Sequence, residues 1–375
     1  MGGIRRGLCR TVFAAALLLA LSGAANAERL IPGGQLVGVA VRSDGLVYVG
    51  ATDLKKLPSP ARLAGLKSGD IIRTVDGQTV SDTQSLGERL AAGKAVKLGV
   101  RRGERELTFD VQPQRDERDG VYRIGAWVRE GAAGIGTLTY VDPETGVYGA
   151  LGHPINDSDS GVSIPVREGV LYEGELTGVV RGRRGVPGAL EGEIVEQAPL
   201  GTIEWNDDTG IGGVFVRAAA GSALFPDGIE TESANRVKTG RGQLIATVDE
   251  NGPKLYDIDI LRVDANADTR TFQIRVTDEA LLKITGGIVQ GMSGSPVIQN
   301  GKLIGAVTHV LVDDPTRGFA VGIERMLETA KAEAASKRNG RGPAASSRMA
   351  YAATIRKNLM MKMVEMSFNL ISFTY

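Results

Sequence analysis

Short apolar runs, each cut off by glycine, proline or aspartate, recur from about Gly120 to Leu327 and constrain the fold more than any other feature of the chain. They are Gly136 to Val141, Val162 to Val166, Gly174 to Val180, Gly201 to Trp205, Gly213 to Val216, Gln243 to Val248, Thr271 to Val276, Leu303 to Val312 and Phe319 to Ile323. Runs of this length bounded by turn formers read as strands rather than helices. With 51 glycines in 375 residues, the chain can afford many tight turns. The expected fold is mainly β, with two packed barrels or a sandwich over roughly 115–330. Basic and acidic residues both count 44, so no net charge marks a nucleic-acid surface, and the expected partner is protein.

The N-terminus carries Arg5, Arg6 and Arg10, an apolar run from Val12 to Leu21 and then Ala25-Asn26-Ala27, the pattern of an export signal or an uncleaved anchor over 1–27. Export places the rest of the chain outside the cytoplasm, secreted or tethered to the membrane. The single cysteine, Cys9, lies inside that segment, so the remainder has neither disulfide nor thiol nucleophile. Residues 28–114 read as a small α+β module. Strands alternate through Leu36 to Val41 and Leu46 to Val49, Asp76-Gly77 signals a type I′ hairpin, and Ser81 with Gln84 suits a capping box for a helix carrying Leu86 and Leu90. Beyond about Ala330 the composition shifts to small, charged and then methionine-rich sequence, so 331–375 is expected to be a disordered or helical tail.

The sharpest chemical signal is GGIVQGMSGSPVIQNGKLIGAVTHV, from Gly286 to Val310. A nucleophilic serine needs a glycine-rich turn whose amides converge on one spot and whose neighbours leave room for a substrate carbonyl. Ser293 sits in such a turn, with the amides of Gly291 and Ser293 as oxyanion donors. The strand Gly305, Ala306, Val307, Thr308, His309 stands where a substrate backbone would pair. Serine needs a base, and the chain has two histidines. His309 lies within an apolar strand, where histidine is usually a sheet residue. His153, in YGALGHPINDSDSG, ends a strand between glycine and proline and is the better base. Two histidines without a cysteine outside the signal argue against a zinc site, no P-loop is present, and Thr269 breaks the calcium-loop pattern that begins at Asp264. No cofactor or metal is expected.

The stretch SPARLAGLKSGDIIRTVDGQTV resembles the PDZ domains of bacterial exported proteases. That resemblance implies a peptide added as a strand beside the helix 82–92. The groove would be bordered by Leu36, Val37, Gly38 and Leu86. The segments YGALGHPINDSDSG, RRGVPGALEGE, VTDEALLKITGGIVQGMSGSPVIQNG and GAVTHVLVDDPTRGFAVGIERML together resemble the SpoIVB peptidase family. The resemblance implies a chymotrypsin-like double barrel, with His153 as base, Ser293 as nucleophile and Asp278 as the acid that orients the histidine. It also implies an exported endopeptidase that cleaves a membrane-associated signalling partner, and itself, during sporulation. On the residues alone Asp278 fits a helix N-cap equally well, and Asp157 is a second choice for the acid. Two alternatives stay open: a general envelope quality-control protease, and a PDZ-containing binding protein whose protease domain does not cleave.

Overall fold

The computed structural model describes residues 28–54, 57–215, 224–266 and 270–336. The signal segment and all of the tail beyond Ser336 lie outside these. In chain order, β1 (Arg29–Pro32) leads into β2 (Leu36–Ala51). Next come α1 (Pro60–Leu63), β3 (Ile71–Val75), β4 (Gln78–Thr79), α2 (Thr83–Leu90), β5 (Val96–Arg102) and β6 (Arg105–Val111). The small ribbon β7 (Gln114–Arg115) and β8 (Tyr122–Arg123) precedes β9 (Ala126–Val141) and β10 (Val147–Ala150). Then follow β11 (Glu168–Val180), β12 (Ala189–Asp207), β13 (Gly210–Phe215) and β14 (Ile229–Glu230). The last stretch holds β15 (Gly240–Ala246), β16 (Lys254–Asp264), β17 (Thr271–Val276), α3 (Glu279–Thr285), β18 (Pro296–Gln299), β19 (Lys302–Leu311), β20 (Asp314–Gly322) and α4 (Ile323–Ser336).

Two barrels result. In the first, β2 pairs with β9, β9 with β10, β10 with β13, β13 with β12, β12 with β11, and β11 with β2 again, which closes the ring. Val37, Val39, Val41, Leu138, Tyr148 and Leu171 fill it. The second is the closed barrel β15-β16-β17-β20-β19-β18, filled by Leu244, Ile258, Phe272, Ile274, Val297 and Ile304. Inward-facing branched side chains alternate along each strand, the pattern a small closed barrel needs to pack its interior.

The small α+β module is an insertion in the first barrel rather than a unit ahead of it. The 16-residue strand β2 pairs with β9 and β11 over its first half, then continues outward to pair with β3 and β9. One sheet therefore runs from the barrel into β3, β5 and β6, over a separate core of Leu46, Ile72, Val75, Leu86, Leu98 and Val100. The expected boundary at 114/115 falls between two segments of that sheet. What alternation does not show is that β2, N-terminal to that boundary, serves both the module and the barrel, because it identifies a strand but not how many neighbours it has.

Local signals fare well. Asp76 and Gly77 have φ of 50° and 76°, as the type I′ turn requires, and Asn300-Gly301 turns between β18 and β19 at 52° and 74°. The cap of α2 is shifted by one residue from expectation. Asp82 accepts from the Ser85 amide while the Ser85 hydroxyl returns to the Asp82 amide. Val162 to Val166 forms no strand, only an isolated bridge between Ser163 and Asn156. Residues 331–336, placed in the tail by composition, complete α4. No helix among the described residues is long and apolar enough to cross a membrane.

Candidate active site

The turn from Gly291 to Ser295 is built by contacts with the first barrel. Thr137 on β9 donates its amide to the Ser293 carbonyl at 2.9 Å and its hydroxyl to the Gly291 carbonyl at 2.7 Å. Thr139 donates its hydroxyl to the Gly294 carbonyl at 2.8 Å. Gly294 has φ of 95°, and a Cβ there would lie 2.1 Å from the Thr137 carbonyl oxygen, so only glycine lets the turn approach β9 this closely. Met292 inserts into the core of the second barrel, and the Ser295 amide closes the turn on the Met292 carbonyl at 2.9 Å. Ser293 is left at the seam between barrels, 4% exposed, its hydroxyl donating to the Thr308 carbonyl at 3.0 Å.

His153 reaches this seam from β10. Leu151, with φ of 70°, and Gly152, with φ of 72°, both occupy the left-handed region and swing the chain across β19. A buried leucine in that region carries backbone strain of about 1–3 kcal/mol, held in place by the surrounding packing. The His153 ring lies 5.2 Å from the ring of His309, centre to centre. Its Nδ1 is 2.9 Å from the Pro154 carbonyl oxygen, which fixes the tautomer with the proton on Nδ1 and the lone pair on Nε2. Burial pushes His153 down from 6.5 to about 4; the Pro154 hydrogen bond opposes this and His309 adds to it. At neutral pH His153 is therefore an uncharged base.

The expected acid is engaged by backbone amides. Asp278 is the N-cap of α3, its carboxylate accepting from the amides of Leu281 at 3.0 Å and Asp257 at 3.4 Å. A short helix following a strand needs its first amides satisfied, and Asp278 does so. Asp157 is buried but committed to Arg129 Nε at 2.5 Å and to the Ser160 hydroxyl at 2.8 Å. Burial would raise its pKa, yet these hydrogen bonds outweigh it and hold the carboxyl below its usual range. The Pro154 carbonyl accepts from His153 Nδ1, the nitrogen at which a triad carboxylate was expected.

The Gly291 amide, one of the two expected oxyanion donors, is oriented by a segment that the sequence singled out without explaining. The β11–β12 hairpin extends beyond the first barrel, and the stretch RRGVPGAL at its tip docks on the serine turn. The Leu190 amide donates to the Gln290 carbonyl at 2.8 Å, and the Gln290 amide donates to the Gly188 carbonyl at 2.9 Å. Because C=O and N–H of one peptide point in opposite directions, fastening the Gln290 carbonyl to β12 turns the Gly291 N–H away from it. That is the orientation an oxyanion donor needs.

The expected substrate strand is shortened. On β19, Ala306 pairs with Pro296 of β18, and Val307 exchanges hydrogen bonds with Ser295 and Gly294. The other edge pairs with β20 from Gly305 to Leu311. Gly305, Ala306 and Val307 have both edges occupied, and only the stretch from Thr308 to Leu311 keeps an edge open to an added strand among the described residues. A similar correction applies to the peptide groove. Val37 and Gly38 pair on both sides, with β11 and β9, and Leu36 packs with the second barrel's core. None can accept a peptide as an added strand. Leu86 does lie on α2 in the inserted module's core. The first turn of α2 faces β9 instead, where the Thr83 amide and hydroxyl each donate to Glu130 at 2.8 Å. The edge of β9 from 126 to 130 opposite β2 carries no strand among the described residues. Among those residues no group of three or more histidines, cysteines or carboxylates is arranged to hold a metal ion.

Comparison with known families agrees with this architecture. The model of the SpoIVB peptidase S55 family matches residues 120–327, and a PDZ-domain model matches 39–112. The chain belongs to the SpoIVB peptidase S55 family. The S55 match starts at 120, after β2, although β2 closes the first barrel. Serine protease HTRA1 of Xenopus laevis is 35% identical over 69 residues, 18% of this chain and 15% of that protein. The S55 chain spans a fifth or less of the length of the curated relatives it matches. The Rv3671c protease of M. tuberculosis in its active form aligns at 15% identity with a TM-score of 0.29, over 52% of this chain and 72% of that one. The serine endoprotease of Yersinia pestis aligns at 13% identity with a TM-score of 0.31, over 53% and 57%.

Proposed function

We propose that this S55 family member is a serine endopeptidase with Ser293 as nucleophile and His153 as general base. The Ser293 hydroxyl leaves the Thr308 carbonyl, transfers its proton to His153 Nε2 and attacks the peptide carbonyl. The Gly291 and Ser293 amides take the developing oxyanion. His153 then hands the proton to the departing amine, and water, deprotonated by the same imidazole, releases the acyl group. The observation that carries this reading is the glycine turn with fixed amides beside a buried, uncharged histidine whose tautomer is held by a backbone carbonyl. The substrate backbone adds along Thr308 to Leu311.

The finer reading is export to the extracytoplasmic side by the N-terminal segment and cleavage of a membrane-associated signalling partner, with self-cleavage. Family membership and the signal-like N-terminus support it. The PDZ-like insertion recruits an extended peptide along the open edge of β9 beside α2. A second reading, a binding protein that does not cleave, draws on the commitment of both Asp278 and Asp157 to other groups.

An intact-mass time course of the full chain, wild type beside Ser293→Ala, with and without a fluorophosphonate probe, tests the assignment. We expect an adduct or self-cleavage in wild type only. Neither event in either folded protein would leave the binding reading standing. Cleavage of unfolded casein at a rate matching that of any folded partner would favour envelope quality control.

A further inference from the structure

The two threonines of β9 explain how a turn on one barrel acquires its shape from the other. Thr137 and Thr139 are buried, at 2% and 0% exposed, and their hydroxyls are directed at carbonyls 154 and 155 residues away. Five peptide planes make up the turn. The carbonyl of Gln290 is held by Leu190, that of Gly291 by the Thr137 hydroxyl, that of Ser293 by the Thr137 amide and that of Gly294 by the Thr139 hydroxyl. The plane between Met292 and Ser293, which supplies the Ser293 amide, is held within the turn itself, its carbonyl accepting from the Ser295 amide at 2.9 Å. It is flanked on both sides by planes that Thr137 holds, one through its side chain and one through its backbone. A valine would fill nearly the same space and suit a strand, so what the two hydroxyls add is the hydrogen bonds to the Gly291 and Gly294 carbonyls.

We propose that Thr137, seconded by Thr139, is a positioning residue for the oxyanion hole, holding the Gly291 and Ser293 amides on one point through the carbonyls beside them. The proposal rests on the serine-peptidase reading above. It assigns to the first barrel a direct part in stabilising charge at a serine carried by the second. A buried carbonyl that loses its donor is free to rotate toward another, and rotation of the plane between Gly291 and Met292 displaces the two planes joined to it, which carry the Gly291 and Ser293 amides.

Fluorophosphonate labelling of the full chain measures this, because the phosphoryl oxygen enters the oxyanion hole. The limiting labelling rate and the half-saturating probe concentration are determined separately, each normalised to the labelled fraction. Thr137→Val should lower the limiting rate roughly ten- to a hundred-fold with little change in half-saturation. Thr137→Ser, which restores the hydroxyl, should recover most of it. If Thr137→Val does not fold, Thr139→Val is read the same way. A folded valine variant that labels at the wild-type limiting rate, with only its labelled fraction reduced, overturns the proposal and leaves the Ser293 assignment intact. A wild type that does not label at all overturns the reading beneath it.

Discussion

Burial of His153 has a consequence that pH-dependent unfolding can read. In the unfolded chain its imidazole takes a proton below about 6.5, whereas the folded chain resists protonation down to about 4. Between those values the unfolded state binds more protons, so this contribution to stability is fully present above pH 6.5 and is lost as pH falls to about 4. The shift corresponds to on the order of 3 kcal/mol. Urea midpoints at pH 7 and pH 4.5 should diverge more for wild type than for His153→Gln; equal divergence would mean that the ring is solvated. Asp278 offers a second residue-scale test. As an N-cap, Asp278→Ala should cost about 1 kcal/mol of stability. Its fluorophosphonate labelling should stay within roughly ten-fold of wild type, against losses of about 10⁴ when a true triad aspartate is replaced. A loss of that larger size would show that the carboxylate moves to His153 when substrate binds. Both histidines and the serine were legible as candidates because glycine spacing and residue chemistry are local. The role of the Pro154 carbonyl was not, since any residue supplies a carbonyl and only geometry says which one points at Nδ1.

At the scale of elements, the β11–β12 hairpin is the part whose sequence was recognisable and whose purpose was not. Its tip is crowded: a Cβ on Gly188 would lie 2.4 Å from both the Gly182 amide and the Val180 carbonyl, and 2.7 Å from Val289. These are mostly backbone atoms that cannot give way. Gly188→Ala should therefore push the hairpin off the serine turn, break the Gln290–Gly188 hydrogen bond and lower labelling at Ser293 without altering the half-saturating probe concentration. Normal labelling kinetics in the folded variant would mean that the hairpin merely covers the site. Strands β2 and β9 make a related point. Each reads as one or two short strands because glycines interrupt its alternation, yet each is a single 16-residue strand that bends from one body into another. Such bends fall where the register shifts, between Arg42 and Val47 on β2.

Across the whole molecule, the shared strands make the PDZ-like insertion and the first barrel one mechanical unit. Amides of β3 and β5 should lose hydrogen-exchange protection at the same urea concentration as those of β11 and β12, because freeing the insertion exposes the outer halves of β2 and β9. Loss of protection in two well-separated steps would argue for independent domains. The same continuity places the open edge of β9 at 126–130 and the serine tethers Thr137 and Thr139 on one strand.

The sequence by itself determined the mainly β class, the hairpin turn at Asp76-Gly77 and the glycine-rich turn that carries Ser293, since each rests on neighbours within a few residues. Only the tertiary structure decided that the PDZ-like module is inserted into a barrel, that Leu36, Val37 and Gly38 lie outside its groove, that Asp278 caps a helix and that Thr137 holds the serine turn. The physical reason is the range of the interactions. A turn is specified by the φ values its own residues tolerate, whereas a strand edge, a carboxylate or a hydroxyl takes its role from whichever distant backbone group folding brings within 3 Å.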